Sequence, residues 1–162
     1  MTLPSLPPPV PFPPRAAPTV RRFPPRWVIV GLGALGVPRI VVHDLDAGAA
    51  LIYLVLTIGP PLVWVAYLVR SRPARITMSG VLVGCVYGVF LAVTHQLLWT
   101  EAFDEPPTLG GNLEGRLDPW LKDVVLRGAS VVSSVGTGAV IGLVVGLLAA
   151  AISDRPGRSD RR

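Results

Sequence analysis

Residues 128–152 read GASVVSSVGTGAVIGLVVGLLAAAI, a stretch without a single Asp, Glu, Lys or Arg. At ~1.5 Å per residue, a helix of this length is more than enough to cross the ~30 Å hydrocarbon core of a bilayer. Its small residues recur every fourth position, at Ser130, Ser134, Gly138, Gly142, Gly146 and Ala150. Positions four apart fall nearly on one helix face, and small side chains there let a second backbone come close, the usual basis of helix association in lipid.

The block before it, residues 76–99, also lacks charged side chains and carries the same signature at Gly80, Gly84, Gly88 and Ala92. Two such faces on consecutive, antiparallel helices predict a tight pair. Packing within the chain is the first reading, and association between copies is the second, because small-residue faces serve both. A third uncharged block, residues 47–69, has Gly59, Pro60 and Pro61 at its middle. Each proline removes an amide donor and crowds the carbonyl one turn back, so a kink with freed carbonyls is expected there.

Residues 27–43 form a fourth candidate, short for a span and interrupted by Pro38 and Arg39. Arginine distribution favours its crossing, since Lys and Arg near span ends are retained on the cytoplasmic side. With four spans, that side collects Arg15, Arg21, Arg22, Arg26, Arg70, Arg72, Arg75, Arg155, Arg158, Arg161 and Arg162. The other side keeps Arg39, Arg116, Lys122 and Arg127. The expected fold is therefore an all-α integral membrane protein, a four-helix transmembrane bundle with both termini in the cytoplasm of a bacterial plasma membrane. A rival of the same parity makes residues 27–36 the core of a cleaved signal, with Ala34 and Gly36 at its cleavage site, leaving three spans.

The flanks fit this plan. Residues 1–26 hold ten prolines and four arginines, the composition of an extended, disordered tail. Residues 154–162 form an Arg-rich tail. The outer connection, residues 100–127, is acidic and ends in Asp118-Pro119-Trp120, which reads as an N-cap and first helical turn leading into a helical stretch at 121–127. Trp27, Trp64 and Tyr67 are expected at the cytoplasmic headgroup level, and Trp99 and Trp120 at the outer one.

The net charge of +5 and pI near 10.3 do not indicate a nucleic-acid binder, because the arginines sit in short segments beside apolar runs. A mean hydropathy of +0.56 with 15% charged residues places the chain with membrane proteins. Cys85 is the only cysteine, which excludes an intrachain disulfide and a cysteine metal cluster; it reads as a packing residue. Arg39, His43, Thr94, His95 and Gln96 form a candidate polar cluster at the outer ends of the first and third spans, with an Arg39–His95 hydrogen bond as its simplest use. His43 and His95 are also the only imidazoles for a haem. No phosphate loop, metalloprotease motif, nucleophile elbow or intraspan carboxylate pair is present, so no catalytic residues, metal or cofactor are assigned.

The composite expectation is a non-enzymatic accessory or scaffold subunit acting by helix association, its partners being the bilayer, other membrane proteins or further copies of itself. The alternative is a small channel, holin-like pore or transporter component, and the third reading is a haem-binding membrane anchor. Reporters fused after residues 45, 73, 110 and 162 should give cytoplasmic signals at 73 and 162 and external signals at 45 and 110. A cytoplasmic signal at 110 overturns the four-span topology.

Overall fold

A computed structural model of the chain describes residues 21–45, 49–101, 108–111 and 115–154. The expectations for the proline-rich tail before residue 21, the loop segments 102–107 and 112–114, and the arginine tail from 155 lie outside the described residues. Among those that are described, the protein is all-helical, with α1 (Arg26–Ala34), α2 (Val37–Asp44), α3 (Ala50–Ser71), α4 (Ile76–Leu97) and α5 (Pro119–Ser153). Four helical segments are long and apolar enough to cross a membrane: Arg26–His43, which joins α1 to α2, and then α3, α4 and α5.

α4 and α5 form the centre. Their backbones meet along the small-residue faces, as a Cβ placed on each glycine shows. On Gly80 it would stand 2.5 Å from the Gly142 carbonyl oxygen, and on Gly84 it would strike that of Gly138. The relation is reciprocal, since one on Gly142 strikes the Gly80 carbonyl and one on Gly138 that of Gly84. Further along, Gly88 lies against Ser134 and Val135, and Gly146 against Thr77. Both helices thus step by four residues in opposite directions, so the antiparallel register keeps Gly80 and Gly84 opposite Gly142 and Gly138 at its centre. Glycine inside a helix costs about 1 kcal/mol relative to alanine. The return is backbone contact with Cα hydrogens aimed at carbonyl oxygens, which contribute roughly 0.5–1 kcal/mol each.

The first span is broken, and the sequence supplies the cause. Pro38 has no amide hydrogen and its ring crowds the carbonyl four residues earlier, that of Ala34, where α1 ends. Two tighter turns bridge the gap, with Leu35 N donating to Leu32 O and Gly36 N to Gly33 O, both at 3.3 Å. This junction lies on α4: a Cβ on Gly33 would come within 2.8 Å of Val86, and one on Gly36 would strike the Tyr87 ring. α3, by contrast, runs unbroken through Pro60 and Pro61. It is the most peripheral element, burying only Trp64 and Leu68.

Two local details differ from the sequence reading. Trp64 is 1% exposed and belongs to the core with Leu32, Ile40, Leu68, Val83 and Tyr87, so it is no headgroup anchor. Asp118 occupies the N-cap position and its carbonyl accepts from Lys122 N at 2.9 Å, yet its side chain makes no capping bond. The helical stretch at 121–127 is continuous with the last span inside α5. In addition, the segment before α1 is tied down: Ala74 N donates to Arg21 O at 3.0 Å and Arg75 N to Arg22 O at 3.2 Å, while the Arg75 guanidinium sits 5.9 Å from the Phe23 ring. Arg21, Arg22, Arg26, Arg70, Arg72 and Arg75 therefore gather at one end of the bundle.

Gly136 has nothing within 4 Å of an added Cβ, whereas Gly142 meets backbone. Gly142→Ala should destabilise the protein by about 1–3 kcal/mol, while Gly136→Ala should be neutral or stabilising by up to ~1 kcal/mol. Reversible unfolding in detergent micelles measures both, and equal effects would contradict the seam.

Candidate functional site

Two features that stand far apart in the chain, the Gly59-Pro60-Pro61 motif and Arg39, meet in one place. Pro60 and Pro61 line a cavity of 140 Å³ together with Arg39, Thr57, Trp64 and Tyr87, closed further by Gly36, Leu56, Leu91, Thr137 and Ile141. α2, α3, α4 and α5 all contribute walls. The two prolines bring no amide hydrogen to the carbonyls of Leu56 and Thr57 one turn back, and both of those residues line the same cavity. Gly59 itself has open space beside it.

Local hydrogen bonds fix the cavity's polar rim. Arg39 Nε donates to Thr57 Oγ1 at 2.9 Å, and Thr57 Oγ1 donates to Tyr53 O at 2.6 Å, one turn before the prolines. Tyr53 in turn donates its hydroxyl to Val42 O at 2.9 Å and receives the His43 ring edge-on at 6.5 Å. This chain of contacts joins α2 to α3. At the cavity floor, Trp64 Nε1 donates to Leu32 O at 2.8 Å. That carbonyl belongs to the broken turn of the first span, so an indole from another helix supplies a donor where the helical ladder is interrupted. The Tyr87 ring meets Trp64 at 5.7 Å and 64°, an edge-to-face arrangement.

The polar residues read as one outer cluster divide between two helix pairs. Arg39 and His43 turn to α3, as above. Gln96 turns to α5, where Arg127 Nη1 donates to Gln96 Oε1 at 3.3 Å and Gln96 Nε2 donates to Arg127 O at 3.4 Å. Arg127 also pairs with Asp123 at 3.0 Å and lies 4.8 Å over the Trp99 ring. Thr94 donates to Phe90 O within α4 at 2.9 Å, and His95 is half-buried in the last turn of the same helix. The packing residues Gly80, Gly84, Gly88, Ala92, Ser134, Gly138, Gly142 and Gly146 are all buried. Cys85 is half-buried. Among the described residues no group of three or more His, Cys, Asp or Glu side chains is placed to hold a metal ion.

Sequence reasoning did not single out Thr57, Tyr87 or Trp64 as site residues. Their only signal is chemical, a hydroxyl or an indole inside an apolar block, and no spacing links them. Gly36 carries only the signal of the rival cleavage site and Gly33 none, because their three-residue step forms no stripe.

Comparison with protein-family models, curated proteins and solved structures finds no match to this chain. The fold and the cavity therefore define its class, an all-helical protein with four helices suited to crossing a membrane.

Trp64→Phe keeps most of the ring volume but leaves Leu32 O with a poorer donor set. It should cost about 1–3 kcal/mol, whereas Thr57→Val, at the half-buried Arg39, should cost less than about 1 kcal/mol. Unfolding titrations of the two variants in mixed micelles check the order; the reverse order would show that the broken span does not depend on the indole.

Proposed function

We propose that this chain is a polytopic integral membrane protein of the bacterial plasma membrane, with four spans and both termini cytoplasmic, and that it works without catalysis as an accessory or scaffold subunit. Its outward faces support the membrane reading. Leu51, Leu54, Leu62, Val132, Val140 and Leu147 are all exposed on α3 and α5, far more contiguous apolar surface than water tolerates on a stable monomer. The arginines at 21, 22, 26, 70, 72 and 75 share one end, in keeping with a cytoplasmic placement. The burial of Leu32, Gly33 and Gly36 in the core supports an integrated first span over a cleaved signal.

The observation that carries the scaffold reading is the α4–α5 seam. Both small-residue faces are consumed within the chain, so they are not left over to line a ring of last spans. What remains outward is a rigid pair flanked by α3, whose side chains face mostly away from the bundle. Such a surface suits lateral contact with another membrane protein. The channel or transporter alternative draws its support from the cavity of Arg39 and Pro60–Pro61, and the haem-anchor reading from His43 and His95 alone.

Purification from native membranes in mild detergent should return the protein with a stoichiometric membrane partner, and crosslinking in membranes should give a heteromeric band. A ladder of homo-oligomers without a partner would favour the pore, and a Soret absorbance band would favour the haem anchor. Gly142→Leu should reduce assembly and abundance together; unchanged migration and yield would count against the scaffold.

A further inference from the structure

We propose that the cavity between α2, α3, α4 and α5 is a binding site for the head of an anionic amphiphile, a carboxylate or phosphate carried on an apolar chain. This rests on the membrane reading above and goes beyond the scaffold role. Three features of the cavity carry it.

The first is charge. Arg39 spends its Nε on the neutral Thr57 hydroxyl, and among the described residues no carboxylate pairs with it. A guanidinium has five N–H donors in a planar fork that matches the two oxygens of a carboxylate or phosphate. An arginine on an apolar span is costly unless an anion or water meets it.

The second is Tyr87. It lines the cavity and is only 6% exposed, and its phenol O–H is a second donor beside the guanidinium. A phenol and a guanidinium lining one cavity suit an acceptor, which an oxyacid head provides.

The third is the wall chemistry. A single water requires ~10–15 Å³ of such space, so 140 Å³ admits a much larger group. Leu56, Pro60, Pro61, Leu91 and Ile141 offer hydrocarbon contact, while Thr57 and Thr137 are exposed at the rim, where the bundle surface faces lipid. A free inorganic anion would gain nothing from those apolar walls, and an acyl chain leaving past Thr57 and Thr137 would stay in the bilayer.

Native mass spectrometry of the full-length protein in detergent tests this with palmitate, 1-palmitoyl-lysophosphatidylglycerol, zwitterionic lysophosphatidylcholine and inorganic phosphate as probes. One equivalent of palmitate or of the lysophosphatidylglycerol should be retained, and which of the two identifies the head. Arg39→Gln and Tyr87→Phe should each weaken retention by about tenfold, with Arg39→Lys intermediate, while thermal stability of Tyr87→Phe stays near that of the parent. Equal binding by Arg39→Gln and Tyr87→Phe, equal retention of lysophosphatidylcholine, or retention of inorganic phosphate alone would overturn the proposal. Binding is read on purified protein, so its failure leaves partner capture untouched, whereas a failed topology would remove the bilayer premise itself.

Discussion

Everything in this bundle is arranged around the contact of two backbones. Where α4 and α5 cross, backbone meets backbone at Gly80, Gly84 and Gly88 on one helix and at Gly138, Gly142 and Gly146 on the other. On the membrane reading proposed above, no hydrophobic drive brings the helices together, so close van der Waals contact and weak Cα–H···O contacts have to do it. The glycines that make this contact give up intrinsic helix preference. The exchange is favourable because each of them brings its backbone against that of the facing helix. One methyl group in the wrong place meets a carbonyl oxygen.

The remaining helices use a different chemistry. α1, α2 and α3 are joined to their neighbours by polar groups at points where the helical ladder is interrupted or where a charge must be accommodated. Trp64 donates to the broken turn at Leu32, Tyr53 to Val42, and Arg39 to Thr57. Each bond contributes modestly, on the order of 0.6 kcal/mol for interhelical bonds in bilayers. They act through geometry, because each fixes one helix at one depth and rotation relative to another. The cavity is a by-product of that arrangement. It opens where α3 carries two prolines that cannot back up the carbonyls of Leu56 and Thr57, and where α2 brings a cation to the same level.

The legible parts of the fold are those with a period. Three apolar blocks are visible from length and the absence of charge, the fourth from the distribution of arginines, and the glycine seam from its four-residue step along each helix. The break in the first span was half-visible: Pro38 is in the sequence, but which carbonyl would receive a substitute donor depends on a tryptophan thirty-two residues away. Trp64 was misread for the same reason. An aromatic residue near the end of an apolar run resembles an interfacial anchor, and only the packing of α3 against α1 shows that its N–H has an internal partner. The polar cluster was likewise assembled from depth, whereas rotation about each helix axis decides contact. Depth follows from counting residues; rotation follows from neighbours.

The bond from Trp64 to the Leu32 carbonyl also bears on biogenesis. In the proposed membrane protein, the middle of Arg26–His43 taken alone is a turn short of donors and carries Arg39 just past the break, so it is poorly suited to lipid by itself. The group that completes it arrives only after α3 has been synthesised. On the proposed four-span reading, the first span and α3 complete one another, so the two would enter the bilayer as a hairpin and not as single helices.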